Sequence, residues 1–550
     1  LNSSRKVYGL AMLLSVCSFL YELSIAKIFS DLLGNFILWQ SVTIAVYIGG
    51  LSFGAFLSDT KRFAHSRVRF LKVELMLSIL GPLVPLFLLA GHIIYRIYFN
   101  DAMIDVLETS DFLTIQQVKE SRWLPWVTYV LLGQGLTLAI GTLSGFEIPY
   151  LIQSLKGKGN HSLMVLGFNY FGSLLASLAF SFWLLPQVSA VYTCLFAGVL
   201  NLICAVFIAE EKSRKWVAFP SFCLIVCAFL YQPTYKANRH VFYYYFYKYL
   251  PEQVSMSELP RFLSFLPPIE ERQTLYQKLE FASLPLQDEP HTNGLFIDGH
   301  FQFDSSSERS YHEAMSRLPH LIALMKPKAP LILGGGDGLL ARDLIKELDQ
   351  STIIEHVELD EGMYEFSRNS EQMIGLNEGS LSSDRIHTSF VDAFSFIKNS
   401  SKYYDGIYID FPYPYSYDVL KLYSVEFYRM LFKRMSKESF AVLDIPLVNS
   451  SSPHSGANGF QHNSIIMSTL HEVGFSHLIP YAVGDESFIF AYKGERSLRQ
   501  LDPTMGTELA HISMEVWSQT LDAEFSFEID SQYVNSIFKP TLLSFRDDFF

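Results

Sequence analysis

The chain has 550 residues, of which 49% are apolar and only 18% charged, and its formal net charge is −13. That length exceeds what one hydrophobic core usually serves, so two or three domains are expected. The acidic balance excludes a nucleic-acid partner as the default expectation, and the low charge content is unlike that of a wholly soluble protein.

The apolar excess lies almost entirely before about residue 232, and most acidic residues follow it. Stretches near 7–29, 37–58, 73–97, 125–147, 163–185 and 188–209 are each long enough to cross a hydrocarbon core, which takes about 20 residues. A seventh, Trp216 to Tyr231, is shorter and contains Pro220. The first stretch is too long for a cleavable signal, carries Glu22 and is followed by further spans. A multi-pass helical bundle in a lipid bilayer is expected, with six or seven spans.

Basic loops give orientation. Lys61, Arg62, Arg67, Arg69 and Lys72 mark an inner loop, as do Lys156 with Lys158, and Lys212, Arg214 and Lys215. The stretch 98–122, with Asp101, Asp105, Glu108 and Asp111, reads as an outer loop, and Arg5 and Lys6 place the N-terminus inside. Seven crossings would then carry the second half outside, yet Lys236, Arg239 and Lys248 make the far flank of the seventh segment basic too. Either that segment does not cross fully or one span is misread.

Cys17, Cys194, Cys204, Cys223 and Cys227 all lie in the apolar half and read as packing residues. The second half has no cysteine, so no disulfide framework, zinc site or other metal centre is expected there. Glu22, Glu74 and Glu147 fall in or beside membrane segments. An intramembrane carboxyl suggests transport or proton relay, or else a structural carboxyl near an interface.

From about residue 270 the pattern shortens. Tyr276 to Phe281 and Gly294 to Gly299 read as strands, and a helix starts near Glu308. Ala329 to Leu333 is an apolar strand, Gly334-Gly335-Gly336-Asp337-Gly338 a tight turn, and Leu339 to Leu348 a helix. Such a turn brings bare backbone and a helix N-terminus to a ligand. A second strand, Ile353 to Leu359, carries Glu358 near its end, where an acid can grip ribose hydroxyls. Ile386 to Val391 ends in Asp392-Ala393, and Tyr404 to Asp410 ends in another acid. Acids at the ends of successive strands converge on one crevice of a doubly wound sheet. Asp360 and Asp405 read as turn and strand-start residues.

The organisation expected is an α-helical transmembrane bundle (1–232), a linker with a small β-stranded region (233–320), an α/β Rossmann-like domain of the S-adenosylmethionine methyltransferase type (321–500), and a C-terminal extension packed on it (501–550).

Over roughly 270–495 these motifs resemble, in order, the spermidine synthase (polyamine aminopropyltransferase) family and its membrane-fused bacterial branch. The segments are Tyr276-Gln277, Leu295 to Gly299 through Gln302, Tyr311-His312-Glu313, Gly334 to Gly338, Val357 to Asp360, Val391 to Ala393, Tyr404 to Asp410 and Leu422 to Tyr428. Gly167 to Gly172 and Leu20-Tyr21-Glu22 look like the membrane-fused branch. The resemblance implies transfer of an aminopropyl group from decarboxylated S-adenosylmethionine to a small amine or polyamine. It implies that Gln277, Gly334, Gly335, Gly336, Gly338, Glu358, Asp392 and Ala393 hold the donor, and that Asp337 receives its ammonium. Gln302, Tyr311, His312 and Tyr413 would line the amine pocket, and Asp410 would accept the proton. It also implies a bacterial inner-membrane location, a cytoplasmic α/β domain to match a cytosolic donor, and a homodimer.

Two departures bear on the substrate. Asp410-Phe411-Pro412-Tyr413-Pro414 has tyrosine where the family commonly has a second acid, and Ser307-Glu308 stands where it commonly has Asp-Glu. Both weaken the case for a dicationic acceptor. Tyr413, Tyr415 and Tyr417 would face a cation through their rings or pack a lid. A methyltransferase acting on a membrane-associated substrate, and a non-catalytic polyamine- or nucleotide-binding membrane protein, are the alternatives.

Overall fold

The computed structural model describes residues 4–33, 36–59, 66–109, 112–155, 162–246, 261, 268–284, 292–412, 417–445, 447–449, 457–484 and 486–542. The chain forms two compact units, one chiefly helical and one α/β.

The apolar runs become α1 (Ser4–Leu33), α2 (Phe36–Ser58), α3 (Arg67–Thr109), α4 (Phe112–Gly145), α5 (Glu147–Ser154), α6 (Ser162–Ala179), α7 (Leu185–Val188), α8 (Ala190–Ile208) and α9 (Ala218–Phe246). Seven stretches are long and apolar enough to cross a membrane, counting α4 with α5 and α6 with α7 as one each. Phe56, Phe182, Phe207 and Phe229 point outward and are each at least 68% exposed. Meanwhile the Tyr47 hydroxyl is buried within hydrogen-bonding distance of Ser18 and Ser144. Apolar outside and polar within is the distribution expected of a bundle solvated by hydrocarbon.

Small residues set the closest helix contacts. A methyl group on Gly54 would overlap the Thr142 carbonyl, and one on Gly145 the Leu51 carbonyl. Backbones this close maximise dispersion contact where no hydrophobic effect operates between helices.

The helices alternate in direction. Arg67, at the start of α3, donates from Nε to the Ile208 carbonyl at the end of α8, 2.7 Å away. Helices α3 and α9 then run side by side: Lys72 lies over Trp216, Tyr231 donates to Pro82 and Asn238 to Leu89. The far end of α9 is therefore opposite the Arg67 end.

Three sequence expectations change here. The seventh segment is not short: it continues through Pro233 to Phe246, because the residues after Tyr231 remain largely aromatic and helix-compatible. The acidic stretch 98–122 is not an extended loop, since α3 runs to Thr109 and α4 resumes at Phe112. Arg239 is no loop charge either, being buried in an ion pair with Glu280.

The α/β half begins with a sheet in simple order, β1 (Glu270–Gln273), β2 (Lys278–Leu284), β3 (Thr292–Ile297) and β4 (His300–Asp304). The main sheet contains β5 (Pro330–Gly334), β6 (Ile354–Glu358), β7 (Ile386–Phe390), β8 (Tyr404–Asp410), β9 (Met435–Asp444), β10 (His477–Val483) and β11 (Glu486–Lys493). Their spatial order is β10-β11-β9-β8-β5-β6-β7. Strands β5 to β9 are parallel, and β11 runs antiparallel beside β9. Buried on both faces, these strands read as near-continuous apolar runs such as Leu331-Ile332-Leu333 and Phe440 to Leu443. The chain leaves β5 toward β6 and β7, then returns to place β8 on the other side of β5. A crevice opens at such a reversal, beyond the carboxyl ends of the strands.

Candidate active site

Gly334 and Asp410 are register partners at the ends of β5 and β8. Gly334 has φ of +84°, and a methyl group there would collide with the Asp410 carbonyl, so only glycine suits the position. A methyl on Gly335 would meet the Asp410 carboxylate, and one on Gly336 would overlap Glu358. The glycine turn thus runs side-chain-free between two carboxylates. Gly338, with φ of +81°, leads into the helix Leu339–Glu347, and Asp337 accepts from the Leu339 amide at 2.8 Å.

Beneath this turn sits the helix Glu308–Ala323. It aims Tyr311 and His312 toward Asp410, and the ligand-type atoms of His312, Asp337 and Asp410 all lie within 4.8 Å of one another. The Tyr311 hydroxyl donates to Asp410 Oδ1 at 3.0 Å, and the Asp444 carboxyl acts on it electrostatically. Nδ1 of His312 donates to the Glu308 carbonyl at 2.7 Å, with Glu308 Oε2 at 3.1 Å, leaving Nε2 for the aspartates. Glu308 in turn receives both terminal nitrogens of the buried Arg342, each at 2.9 Å.

Burial pushes Asp410 up to about 6, helped by the neighbouring Asp337 charge and resisted by His312 and the Tyr311 hydrogen bond. Burial likewise raises Asp337, and carries Glu358 up to about 7. His312 is raised although burial opposes it, because the Glu308 hydrogen bond and the Asp337 charge favour the imidazolium. Glu308 falls to about 2 despite its burial, through His312 and Arg342.

Around this centre, Gln277 ends a turn whose Thr274 hydroxyl donates to Asp360 at 2.6 Å, which pins the turn against the end of β6. Asp360 also caps the following helix at Gly362, and Glu358 accepts from the Asp360 amide at 2.8 Å. Gln302 lies half-buried on β4. Asp392 stands at the end of the edge strand β7 and caps the helix begun by Ala393, with its carboxylate bonded to Ser395 and to Lys421 at 2.9 Å. Its carboxylate is thus engaged by those two residues and not by Asp337 or Asp410. Tyr413 and Tyr415 lie outside the described residues, as does the side chain of Tyr417. Asp405 accepts from the Lys328 and Ala329 amides, a strand-start role. Glu313 of the Tyr-His-Glu segment faces away from the crevice and accepts from the amides of Ala510, His511 and Ile512.

Asp444 and Arg342 join these groups without having stood out in the sequence. Asp444 carried a usable signal, since it ends an apolar strand as Asp410 does. Its neighbour in register, Leu443, pairs with Ile409. Arg342 gave none, because its role comes from meeting Glu308 across two helices.

A model of the spermine/spermidine synthase domain matches residues 308–443. Curated relatives extend the likeness over most of the chain. Polyamine aminopropyltransferase 2 of Aquifex aeolicus is 27% identical, with 95% of this chain and 94% of that protein covered. The polyamine aminopropyltransferase of Oceanobacillus iheyensis is 25% identical over 80% of this chain and 77% of its own length. A crystal structure of spermidine synthase with the transition-state analogue AdoDATO aligns at a TM-score of 0.38 and 20% identity, over 46% of this chain and 84% of that one. With its motifs in order and its relatives matched through both halves, the chain is similar over most of its length to the polyamine aminopropyltransferases, and residues 308–443 match the spermine/spermidine synthase domain.

Proposed function

We propose that the protein transfers a 3-aminopropyl group from decarboxylated S-adenosylmethionine to an amine, releasing methylthioadenosine. The observation that carries this reading is the meeting of Asp337, Asp410 and His312 beside a glycine turn flanked by Glu358. Glu358 is placed to accept from ribose hydroxyls, and Gly335 and Gly336 leave room for the nucleoside to lie on bare backbone. Gln277, held by the Thr274–Asp360 clamp, and Asp392 with Ala393 would border the adenosine end. Asp337 would receive the donor's ammonium, and it disfavours an undecarboxylated donor, whose carboxylate would repel it.

The donor supplies a sulfonium, so its leaving group needs little assistance, and the protein's work is alignment and proton removal. The acceptor arrives as an ammonium and must lose a proton to attack. Asp410 is placed to take it, held in line by Tyr311; such general-base help is typically worth about 10²–10⁴-fold. Gln302, Tyr311, His312 and Tyr413 would border the acceptor. The trio His312, Asp337 and Asp410 also has the composition of a divalent-metal site; the cation assigned to it here is the substrate's ammonium.

The bundle is taken as a membrane anchor in a bacterial inner membrane, with the α/β domain on the cytoplasmic side where the donor is made. Purified full-length protein, given decarboxylated S-adenosylmethionine and a panel of mono- and diamines, should release methylthioadenosine, and a chelator should leave the rate unchanged. Release of S-adenosylhomocysteine from undecarboxylated donor, with no methylthioadenosine from either, would make it a methyltransferase instead.

A further inference from the structure

The helical bundle encloses a second acidic centre that the α/β chemistry does not use. Glu74 of α3, Glu147 at the first position of α5 and Asn201 of α8 are at most 4% exposed. Asn201 donates from Nδ2 to Glu74 Oε2 at 2.6 Å, and Glu147 interacts electrostatically with Glu74. Neither glutamate has a lysine, arginine or histidine partner among the described residues. Three buried acceptors, Glu74 Oε1, Glu147 Oε1 and Asn201 Oδ1, have no hydrogen-bond partner. An unsatisfied buried acceptor typically costs about 1–3 kcal/mol, so three at one place call for something positive between them.

The backbone is also interrupted here. Helix α4 stops at Gly145 and α5 restarts at Glu147, inside one apolar stretch running from Leu124 to Ser154. Broken helices at membrane depth are tolerated where the protein lines a site. The titratable neighbours, Cys17, Cys204 and Tyr21, with Tyr47 and Glu22 further along, are acids or neutral groups and supply no positive charge.

We propose that Glu74, Glu147 and Asn201 form a binding site for a small monovalent cation within the bundle, and that the cation enters in exchange for a proton. Charge neutrality in a dry interior gives the stoichiometry. Two carboxyls are neutral with two protons, or with one proton and one monovalent cation, so binding the cation releases one proton. An all-oxygen acceptor set suits an alkali ion or the three N–H donors of a primary ammonium.

The test is proton release from full-length protein in detergent, in weak buffer with a pH dye, on adding sodium, potassium or methylammonium chloride. Choline chloride serves as a salt control and magnesium chloride as the divalent arm. Wild type should release about one proton per chain, saturably, with at least one monovalent cation and not with choline. Glu74→Gln should abolish the release while Asp410 and its site stay intact, which separates it from any cation effect in the α/β domain. Glu147→Asp, keeping the carboxyl, should retain it. Should Glu74→Gln fail to fold, Asn201→Leu should still weaken the cation response by about tenfold. No release from wild type, release from Glu74→Gln equal to that of wild type, an undiminished response in Asn201→Leu, or release with magnesium alone would overturn the proposal.

Discussion

The Tyr311 hydroxyl donates to Asp410 Oδ1 at 3.0 Å, and the carboxyl of Asp444, which ends the neighbouring strand, acts electrostatically on the same phenol. The hydrogen bond favours the ionised form of Asp410. Burial and the charges of Glu486 and Asp410 raise Asp444 well above the usual carboxylate range. Asp410 is thus the more readily ionised of the two.

Activity should rise with pH through about 6, where Asp410 loses its proton and becomes able to accept one. Tyr311→Phe removes a hydrogen bond that favours the carboxylate, so the proton is held more tightly and the acid limb should move to higher pH. The profile of kcat/KM against pH for the two proteins checks this. An unmoved limb would mean that Asp410 does not set it.

Asp444 bears on the acceptor. The tyrosine at 413 leaves the crevice one acid short of the common family pattern, and Asp444 with Glu486 supplies negative groups from the next strands. An arriving ammonium would favour the ionised form of Asp444, whose proton leaves to solvent, and would so gain a charged partner. Asp444→Asn should therefore raise the KM for a diamine by about tenfold, a loss typical of one charged hydrogen bond, with methylthioadenosine affinity unchanged. Equal effects on diamine and nucleoside in steady-state kinetics and calorimetry would contradict it.

Glu308→Gln should destabilise the α/β domain by about 1–3 kcal/mol, because the buried Arg342 guanidinium loses one of its two carboxylate partners and keeps Asp343. The linkage has a definite sign. Glu308 titrates below its unfolded value, so its contribution is complete above the ordinary glutamate range and is lost as pH falls toward about 2. Denaturant melts at neutral and acidic pH should show the gap between wild type and variant narrowing in acid.

Gly336→Ala places a methyl group 2.6 Å from Glu358 Oε2, where the flexible carboxylate must turn aside. Loss of one such oriented carboxylate should weaken methylthioadenosine binding by about tenfold or more while leaving the thermal midpoint nearly unchanged. Calorimetric titration against a melting curve separates the two effects.

Sidedness sets two rules against each other. Seven alternating helices put the end of α9 opposite the Arg67 end, so a cytoplasmic α/β domain turns the basic loops outward, against the usual charge bias. The five native cysteines all lie in the helices, so Ser306→Cys, on an exposed turn, adds the one thiol of the α/β half. It should resist a membrane-impermeant maleimide in intact cells and react after permeabilisation. Labelling of intact cells would place the domain outside.

What could be read in the sequence was what is local. A glycine turn after an apolar strand, and acids closing successive strands, announce themselves in short windows; Asp337, Glu358 and Asp410 were found that way and flank one turn. Asp392 gave the same signal, yet its carboxylate is taken up by Lys421, a partner no periodicity reveals. The double bond from Arg342 to Glu308 joins residues 34 apart on different helices. The acidic stretch after residue 98 reads as a loop when its charge is weighed above helix propensity, yet α3 continues to Thr109.

The backbone cradle around Glu313 ties the chemistry to the far end of the chain. Ala510, His511 and Ile512 each give this carboxylate an amide, and the side chain next to it in sequence is His312. Cutting the chain ahead of Ala510 would take three amide donors from this buried side chain, one residue from the imidazole that faces Asp410. The segment Ala510 to Ile512 thus acts as a clasp on the helix Glu308–Ala323, and a deletion there would reach Tyr311 and His312, however distant it looks along the sequence.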